Sequence, residues 1–141
     1  GQKLPKTQNE LSINGHAIEA RICAENPDNN FLPATGTLFT YQKPEHSTFT
    51  INKNGNDVRI DDGVREGDVI SPFYDSMIAK IIAYGQDRDT AIKRMRHALH
   101  ETVIDGIKTN LPLHLKVLDD PDYQAGITTI HFLEKKLERG E

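Results

Sequence analysis

The chain has 141 residues, of which 36% are hydrophobic and 27% are charged. This length suits one domain with a single core, and no apolar run is long enough to span a bilayer. The 17 basic and 21 acidic residues give a formal net charge of -4, so the general phosphate attraction that drives nucleic-acid binding is missing. The composition therefore argues against a membrane protein and against a nucleic-acid-binding protein.

Cysteine usage and the N-terminal segment add further limits. Cys23 is the only cysteine, which excludes an internal disulfide and a cysteine-based zinc site and favours a reducing compartment. Residues 1–12 are polar and interrupted by Pro5, so we expect a linker or an extended segment laid over a neighbouring domain, and the domain itself over residues 13–139. The chain starts without methionine and its first residues lack the apolar run of a signal peptide, so we expect a fragment of a longer polypeptide.

The first predicted element is a strand over residues 16–25. Period-two alternation places an apolar set of side chains on one face of this strand and a less apolar set on the other. The apolar set is Ile18, Ala20, Ile22 and Ala24, and the other set is Ala17, Glu19, Arg21 and Cys23. Turn-forming residues over 26–30 break the strand, and a second strand is predicted over residues 37–42.

The middle of the chain predicts further strands. The adjacent Asn54 and Gly55 indicate a hairpin between residues 49–51 and 58–60. A short strand is expected at residues 69–70 and a longer one over residues 76–84. Because residues 77–84 are almost continuously apolar, they predict a central strand that helices cover on both faces.

The last third of the chain predicts helices. Asp87 can cap a helix whose apolar residues recur at three and four up to Val103, and Gly106 can end it in a left-handed conformation. Later helical segments are predicted from Thr109 or Asn110 to about residue 118, over one turn at 122–126, and over residues 130–139. Strands followed by helices predict an α+β fold, with a mainly antiparallel sheet in the first part packed against C-terminal helices.

No complete catalytic motif is present: there is no glycine-rich nucleotide loop, no HExxH and no GxSxG. His97 and His100 lie three residues apart on the first helix, but a metal site needs three or four ligands, so no metal site is predicted. Lys93, Arg94 and Arg96 share that helix. We interpret the basic face as solvated, with binding to an acidic partner as the alternative.

Arg21 is the candidate that the pattern singles out. A guanidinium on an otherwise apolar strand needs a carboxylate, an anion or water, and Glu19 lies two residues away on the same face. One interpretation is an ion pair that satisfies both charges, and the other is a rigid clamp for an anion. Spacing alone leaves both open.

Four segments carry a resemblance to a known family. They are GHAIEARICAENPDNNFLPATG at residues 15–36, VRIDDGVREGDVISPFYDSMIAKIIAYG at 58–85, DRDTAIKRMRHAL at 87–99 and DGIKTNLPLH at 105–114. In order and spacing they resemble the C-terminal domain of biotin carboxylases. The stretches GVREGDVIS and YDSMIAK are similar to the α subunits of acyl-CoA carboxylases, such as the methylcrotonoyl-CoA and propionyl-CoA enzymes. The resemblance to the free biotin carboxylase subunit of acetyl-CoA carboxylase is only slightly weaker.

The resemblance implies an ATP-dependent ligase that activates bicarbonate as carboxyphosphate and transfers the carboxyl group to biotin. Biotin, ATP and Mg or Mn are the implied cofactors, and the nucleotide and metal residues belong to an upstream ATP-grasp domain. The implied partners are that domain, a biotinylated carrier domain, a carboxyltransferase subunit and a second copy in a homodimer. The implied location is the cytoplasm, or the mitochondrial matrix in a eukaryote.

The resemblance also implies roles for four residues. Arg21 matches the catalytic arginine that holds the biotin ureido oxygen, as a fixed donor aimed at developing negative charge. Glu19 and Asp75 are supporting residues, and Asp75 could orient Arg21 or help dimer contacts. Arg59 matches an interface arginine, whereas the aromatic partner is not assigned to Phe49. Residues 46–57 form a longer connection than is common in the family, at a place where related subunits make dimer contacts.

Two alternatives to a carboxylase fragment stay open. A freestanding interaction module could keep this fold without ligase chemistry, and an ATP-grasp domain encoded immediately upstream would argue against it. A regulatory or scaffolding fragment is the second alternative, and binding of this domain alone to another subunit would favour it.

Overall fold

A computed structural model describes residues 1–45, 57–138 and 140 of the chain. The strands in this part are β1 (His16–Cys23), β2 (Glu25–Asn26), β3 (Leu32–Pro33), β4 (Gly36–Thr37), β5 (Thr40–Gln42), β6 (Val58–Asp62), β7 (Val69–Ile70), β8 (Met77–Gly85) and β9 (Val103–Asp105). The helices are α1 (Arg88–Glu101), α2 (Leu111–Asp119), α3 (Pro121–Gln124) and α4 (Phe132–Glu138). Every strand pairing is antiparallel, so the α+β prediction is confirmed.

The main sheet has the order β1-β8-β6, which confirms that the apolar strand is central. Ala20 of β1 and Ile60 of β6 both pair with Ile81 of β8, and the next row joins Arg21, Lys80 and Asp61. Neighbouring rows point to opposite faces because side chains alternate along a strand. The register therefore separates an apolar face from a charged face.

Helix α1 covers the apolar face of the sheet. The carboxylate of Asp87 caps this helix by accepting a hydrogen bond from the Thr90 amide at 2.7 Å, and hydrogen bonds from Thr90 lower the pKa of Asp87. The buried residues of α1 recur at helical spacing and pack on the strands. The largest fully buried side chains are Ile22, Leu38, Ile81, Met95 and Leu99.

The prediction that helices cover β8 on both faces is wrong. Ile81 and Ala83 are buried beneath α1, whereas Lys80, Ile82 and Tyr84 on the opposite face are only half-buried. Within the described ranges, α1 is the helix with extensive contacts to β8. A continuous apolar run indicates that a strand is central, but the polar side chains on the strands beside it decide whether its second face is covered.

The predicted C-terminal end of α1 is also wrong. The helix ends at Glu101, and the next residues form β9, in which Ile104 pairs with Tyr41 of β5. Pairing with a distant strand overrides the helical spacing here, because β-branched residues such as Val103 and Ile104 pack well in a sheet. Gly106 does have a positive φ of 102°, and a Cβ at this position would collide with the backbone oxygen of Thr37.

Other predictions meet mixed outcomes. The strand predicted over residues 37–42 is divided into β4 and β5, because the chain pairs first with β7 and then with β9. One half of the predicted hairpin, residues 49–51, lies outside the described residues together with Phe49 and most of the long connection. The predicted second, one-turn and last helices correspond to α2, α3 and α4.

Residues 1–14 are exposed, with one short 3-10 turn over Gln8–Glu10. The division of the chain into a segment over residues 1–12 and a domain over residues 13–139 stays a prediction. No helix in the described part of the chain is both long and apolar enough to cross a bilayer.

Candidate functional site

The candidate site is the face of the main sheet opposite α1, which we call the open face. Two cross-strand rows define it: Glu19, Ile82 and Arg59 form the first, and Arg21, Lys80 and Asp61 form the second. Side chains on adjacent strands in such rows are close enough to interact. The open face therefore places three cations and two carboxylates around one half-buried isoleucine.

Arg21 and Glu19 form an ion pair, which was one of the two interpretations of their spacing. The Nε–H group of Arg21 donates to Oε1 of Glu19 at 2.7 Å, and this bond raises the pKa of Arg21. The Arg21 side chain is 66% exposed, so water screens the pair and its contribution to stability is small. Among the described residues, the two terminal nitrogens of Arg21 have no hydrogen-bond partner.

Asp75 makes no hydrogen bond or ion pair with Arg21, but its charge acts on the Arg21 guanidinium. Its Oδ1 accepts a hydrogen bond from the Met77 amide at 2.7 Å, at the start of β8. After the larger effect of Glu19, the charge of Asp75 also raises the pKa of Arg21. Asp75 thus fixes the turn that leads into the central strand and adds negative potential beside Arg21.

Arg59 forms a two-pronged ion pair with Asp61 on its own strand. Nε of Arg59 contacts Oδ1 of Asp61 at 2.8 Å, and Nη2 contacts Oδ2 at 2.9 Å. Both side chains are partly exposed, and the Arg59 guanidinium lowers the pKa of Asp61. The arginine that was predicted at a dimer interface therefore lies on the open face. Its strand, β6, pairs with β8, and β8 separates it from the strand of Arg21.

Three further residues at this site were missed in the sequence. Lys80 lies opposite Arg21 in the sheet, and its signal was a lysine inside an otherwise apolar run. Asn110 and His114, from the start of α2, contact the backbone of β1 at Arg21. Local sequence gave no sign of their contacts, because these residues lie 89 and 93 positions away from Arg21.

The basic face of α1 lies on the other side of the sheet. Arg94 is paired with Asp57 at 2.6 Å and Arg96 with Asp119 at 3.2 Å, so two of its cations are partly neutralised within the chain. His97 contacts Glu101 at 3.2 Å. Within residues 1–45 and 57–138, no group of three or more His, Cys, Asp or Glu side chains is placed to hold a metal ion.

A comparison with known protein families identifies the family of this chain. The family model described as the biotin carboxylase C-terminal domain matches residues 19–135. The chain belongs to this family. The matched range runs from β1 into α4 and includes Arg21, Arg59, Asp75 and Asn110.

Relatives of this biotin carboxylase C-terminal domain are parts of longer proteins. It is 48% identical over 134 residues to the biotin carboxylase of Haemophilus influenzae, covering 95% of this chain and 28% of that protein. Over 133 residues it is 39% identical to the mitochondrial methylcrotonoyl-CoA carboxylase subunit alpha of Mus musculus, covering 94% of this chain and 17% of that protein. The chain therefore spans less than a third of these relatives.

Solved structures of the family agree with the fold. The biotin carboxylase subunit of pyruvate carboxylase superposes with a TM-score of 0.88 at 37% identity, covering all of this chain and 29% of that one. The biotin carboxylase domain dimer of Hydrogenobacter thermophilus 2-oxoglutarate carboxylase, in complex with MgADP, ADP and bicarbonate, gives a TM-score of 0.86 at 35% identity. That match covers 96% of this chain and 28% of that one.

Proposed function

We propose that this domain works within an ATP-dependent biotin carboxylase, where Arg21 binds and activates biotin while ATP and bicarbonate supply the carboxyl group. The observation that carries the proposal is the combination of the family match with the state of the Arg21 guanidinium. Glu19 holds its Nε, and the described residues leave its terminal nitrogens without a partner. Those nitrogens are the pair that can donate together to one acceptor oxygen.

The chemistry follows from charge. Bound biotin would supply a urea nitrogen that becomes a better nucleophile when a base in the rest of the enzyme takes its proton, and negative charge would then develop on the urea oxygen. A fixed guanidinium aimed at that oxygen stabilises the charge without reorganising at the moment of reaction. Glu19 keeps the guanidinium oriented, and Asp75 adds negative potential beside it.

The nucleotide and the metal ion are proposed to bind mainly to the rest of the enzyme, in an upstream ATP-grasp domain. The large uncovered share of the relatives leaves room for that domain. The other proposed partners are the biotinylated carrier domain and the carboxyltransferase subunit. The proposed location is the cytoplasm or, as described for the Mus musculus relative, the mitochondrion.

The isolated 141-residue chain is expected to fold but to show no bicarbonate-dependent ATP hydrolysis above a buffer blank. The full-length polypeptide that contains it is expected to hydrolyse ATP only with bicarbonate and to transfer label from radioactive bicarbonate to free biotin. Parallel assays of the two proteins test this. Activity of the isolated chain would contradict the proposed division of labour, and a full-length polypeptide without biotin carboxylation would contradict the function.

We further propose that the open face near Arg59 contacts a second copy of the protein. A two-fold interface brings a surface patch onto its own copy, so a patch with both charge signs around an apolar centre can complement itself. Arg59 and Asp61 supply both signs beside Ile82. The H. thermophilus structure is described as a domain dimer, which supports this assembly.

Replacing Arg59 by glutamate is expected to weaken the dimer of the full-length polypeptide about tenfold or more. The change leaves only carboxylates at residues 59 and 61, so the patches of the two copies would repel each other. Sedimentation velocity over a range of concentrations measures the dissociation constant. Arg65→Glu is the matched control, because Arg65 is 89% exposed and lies after β6, outside the two rows that define the open face. Equal dissociation constants for the two variants would exclude Arg59 from the interface.

A further inference from the structure

The backbone that carries Arg21 lies at an edge of the main sheet. β1 has β8 as its only neighbour in the order β1-β8-β6 of the described strands. In addition, the pairing of β1 with β8 becomes irregular between Ile22 and Cys23, one residue beyond Arg21. The register skips Ile78 of β8 here, so the ladder is interrupted and the sheet alone does not fix the β1 backbone at this point.

The side chain of Asn110 replaces the missing neighbour strand. Its Nδ2 donates to the carbonyl oxygen of Arg21 at 3.0 Å, and its Oδ1 accepts from the amide of Cys23 at 2.8 Å. The backbone amide of Asn110 also donates to the carbonyl oxygen of Cys23 at 3.1 Å. One residue therefore binds three backbone groups on the outer edge of β1, on both sides of the irregularity.

His114 adds a fourth bond from the next turn of α2. Its Nε2 lies 2.9 Å from the carbonyl oxygen of Arg21, and since a carbonyl only accepts, Nε2 carries the hydrogen. Asn110 occupies the N-cap position of α2, yet its side chain does not cap the helix. The amide group that would ordinarily bind the first turn is instead used 87 and 89 residues away, on β1.

We propose that Asn110, assisted by His114, is a positioning residue that sets the orientation of the Arg21 guanidinium. The inference rests on the proposed function of Arg21. The guanidinium is fixed through Glu19, which belongs to the same strand, so its aim depends on the β1 backbone. A donor that misses the developing charge by about 1 Å loses much of its catalytic effect. α2 thus acts on the chemistry without touching biotin.

The test uses the full-length polypeptide with Asn110→Leu, which removes both side-chain bonds at similar size. We expect kcat for carboxylation of free biotin to fall about tenfold with an unchanged KM for ATP. Hydrogen exchange, measured by mass spectrometry of the peptide that contains Cys23, is expected to be faster. His114→Gln retains a donor and is expected to keep nearly normal kcat, whereas His114→Leu is expected to lower it severalfold.

A double-mutant cycle separates positioning from general damage. If Asn110 acts through Arg21, Asn110→Leu is expected to have little further effect on kcat in the Arg21→Gln background. The same tenfold loss in both backgrounds, or faster exchange at Cys23 with normal kcat, would overturn the inference while leaving the proposed function intact. Normal kcat in Arg21→Gln alone would instead overturn the proposed function of Arg21, and this inference with it.

Discussion

Arg21→Gln in the full-length polypeptide is expected to lower biotin carboxylation a hundredfold to a thousandfold. Removal of one donor to a developing negative charge costs about 2.7 to 4 kcal/mol in the transition state, which corresponds to that range of rates. Folding and ATP binding are expected to stay nearly normal, because the side chain is largely exposed and its ion pair is screened by water. The measurements are kcat for free biotin and the melting temperature.

Glu19→Gln is the matched control for Arg21→Gln. The glutamine keeps an oxygen that can accept from Nε of Arg21, so the guanidinium stays held while the ion pair loses its charge. We expect a much smaller loss of activity than in Arg21→Gln. If both variants lost equal activity and equal melting temperature, Arg21 would be a structural partner of Glu19 and the catalytic interpretation would be wrong.

Ile81→Asp is expected to prevent folding of the chain. Ile81 is 1% exposed and lies in the central strand beneath α1, where it pairs with Ala20 and Ile60. An unpaired carboxylate there costs several kcal/mol, which is comparable to the total stability of a typical domain of about 5 to 15 kcal/mol. Circular dichroism during urea titration is expected to show no cooperative transition.

Ile82→Asp provides the control for Ile81→Asp within the same strand. Ile82 points to the open face, is half-buried and lies between Glu19 and Arg59, so an introduced carboxylate meets one like charge but also finds water and a cation. A folded protein with a cooperative transition is expected. If Ile81→Asp melted cooperatively as well, the apolar face would not be the core that supports this fold.

The local pattern predicted the parts of the fold that depend on neighbouring residues. Alternation in β1 correctly placed Ile22 inside and Arg21 outside, and Asp87 correctly marked the start of α1. The errors have a common cause, which is pairing between distant residues. Val103 continues the helical spacing of α1 but pairs with Gln42 instead. Asn110 has the chemistry of a helix cap, and only the folded chain brings its side chain to β1.

The candidate site was predicted in the same uneven way. The spacing of Glu19 and Arg21 correctly placed both side chains on one face of β1, where they form a hydrogen bond. Their catalytic and supporting roles remain proposals. Lys80 was visible as a lysine in an apolar run, but its position opposite Arg21 depends on the register between two strands that are far apart in sequence.

β1 and its neighbour strand β8 are far apart in sequence, and this separation limits the order in which the chain can fold during synthesis on the ribosome. Ala20 pairs with Ile81, so the first strand leaves the ribosome well before its partner has been made. At synthesis rates of about 5 to 20 residues per second, that interval lasts roughly 3 to 12 seconds. During this time Ile18, Ala20 and Ile22 have no sheet to join, and the contacts of Asn110 form later still. The contacts that hold the backbone at Arg21 can therefore be completed only after the start of α2 has been made, and until then its strand has exposed apolar side chains.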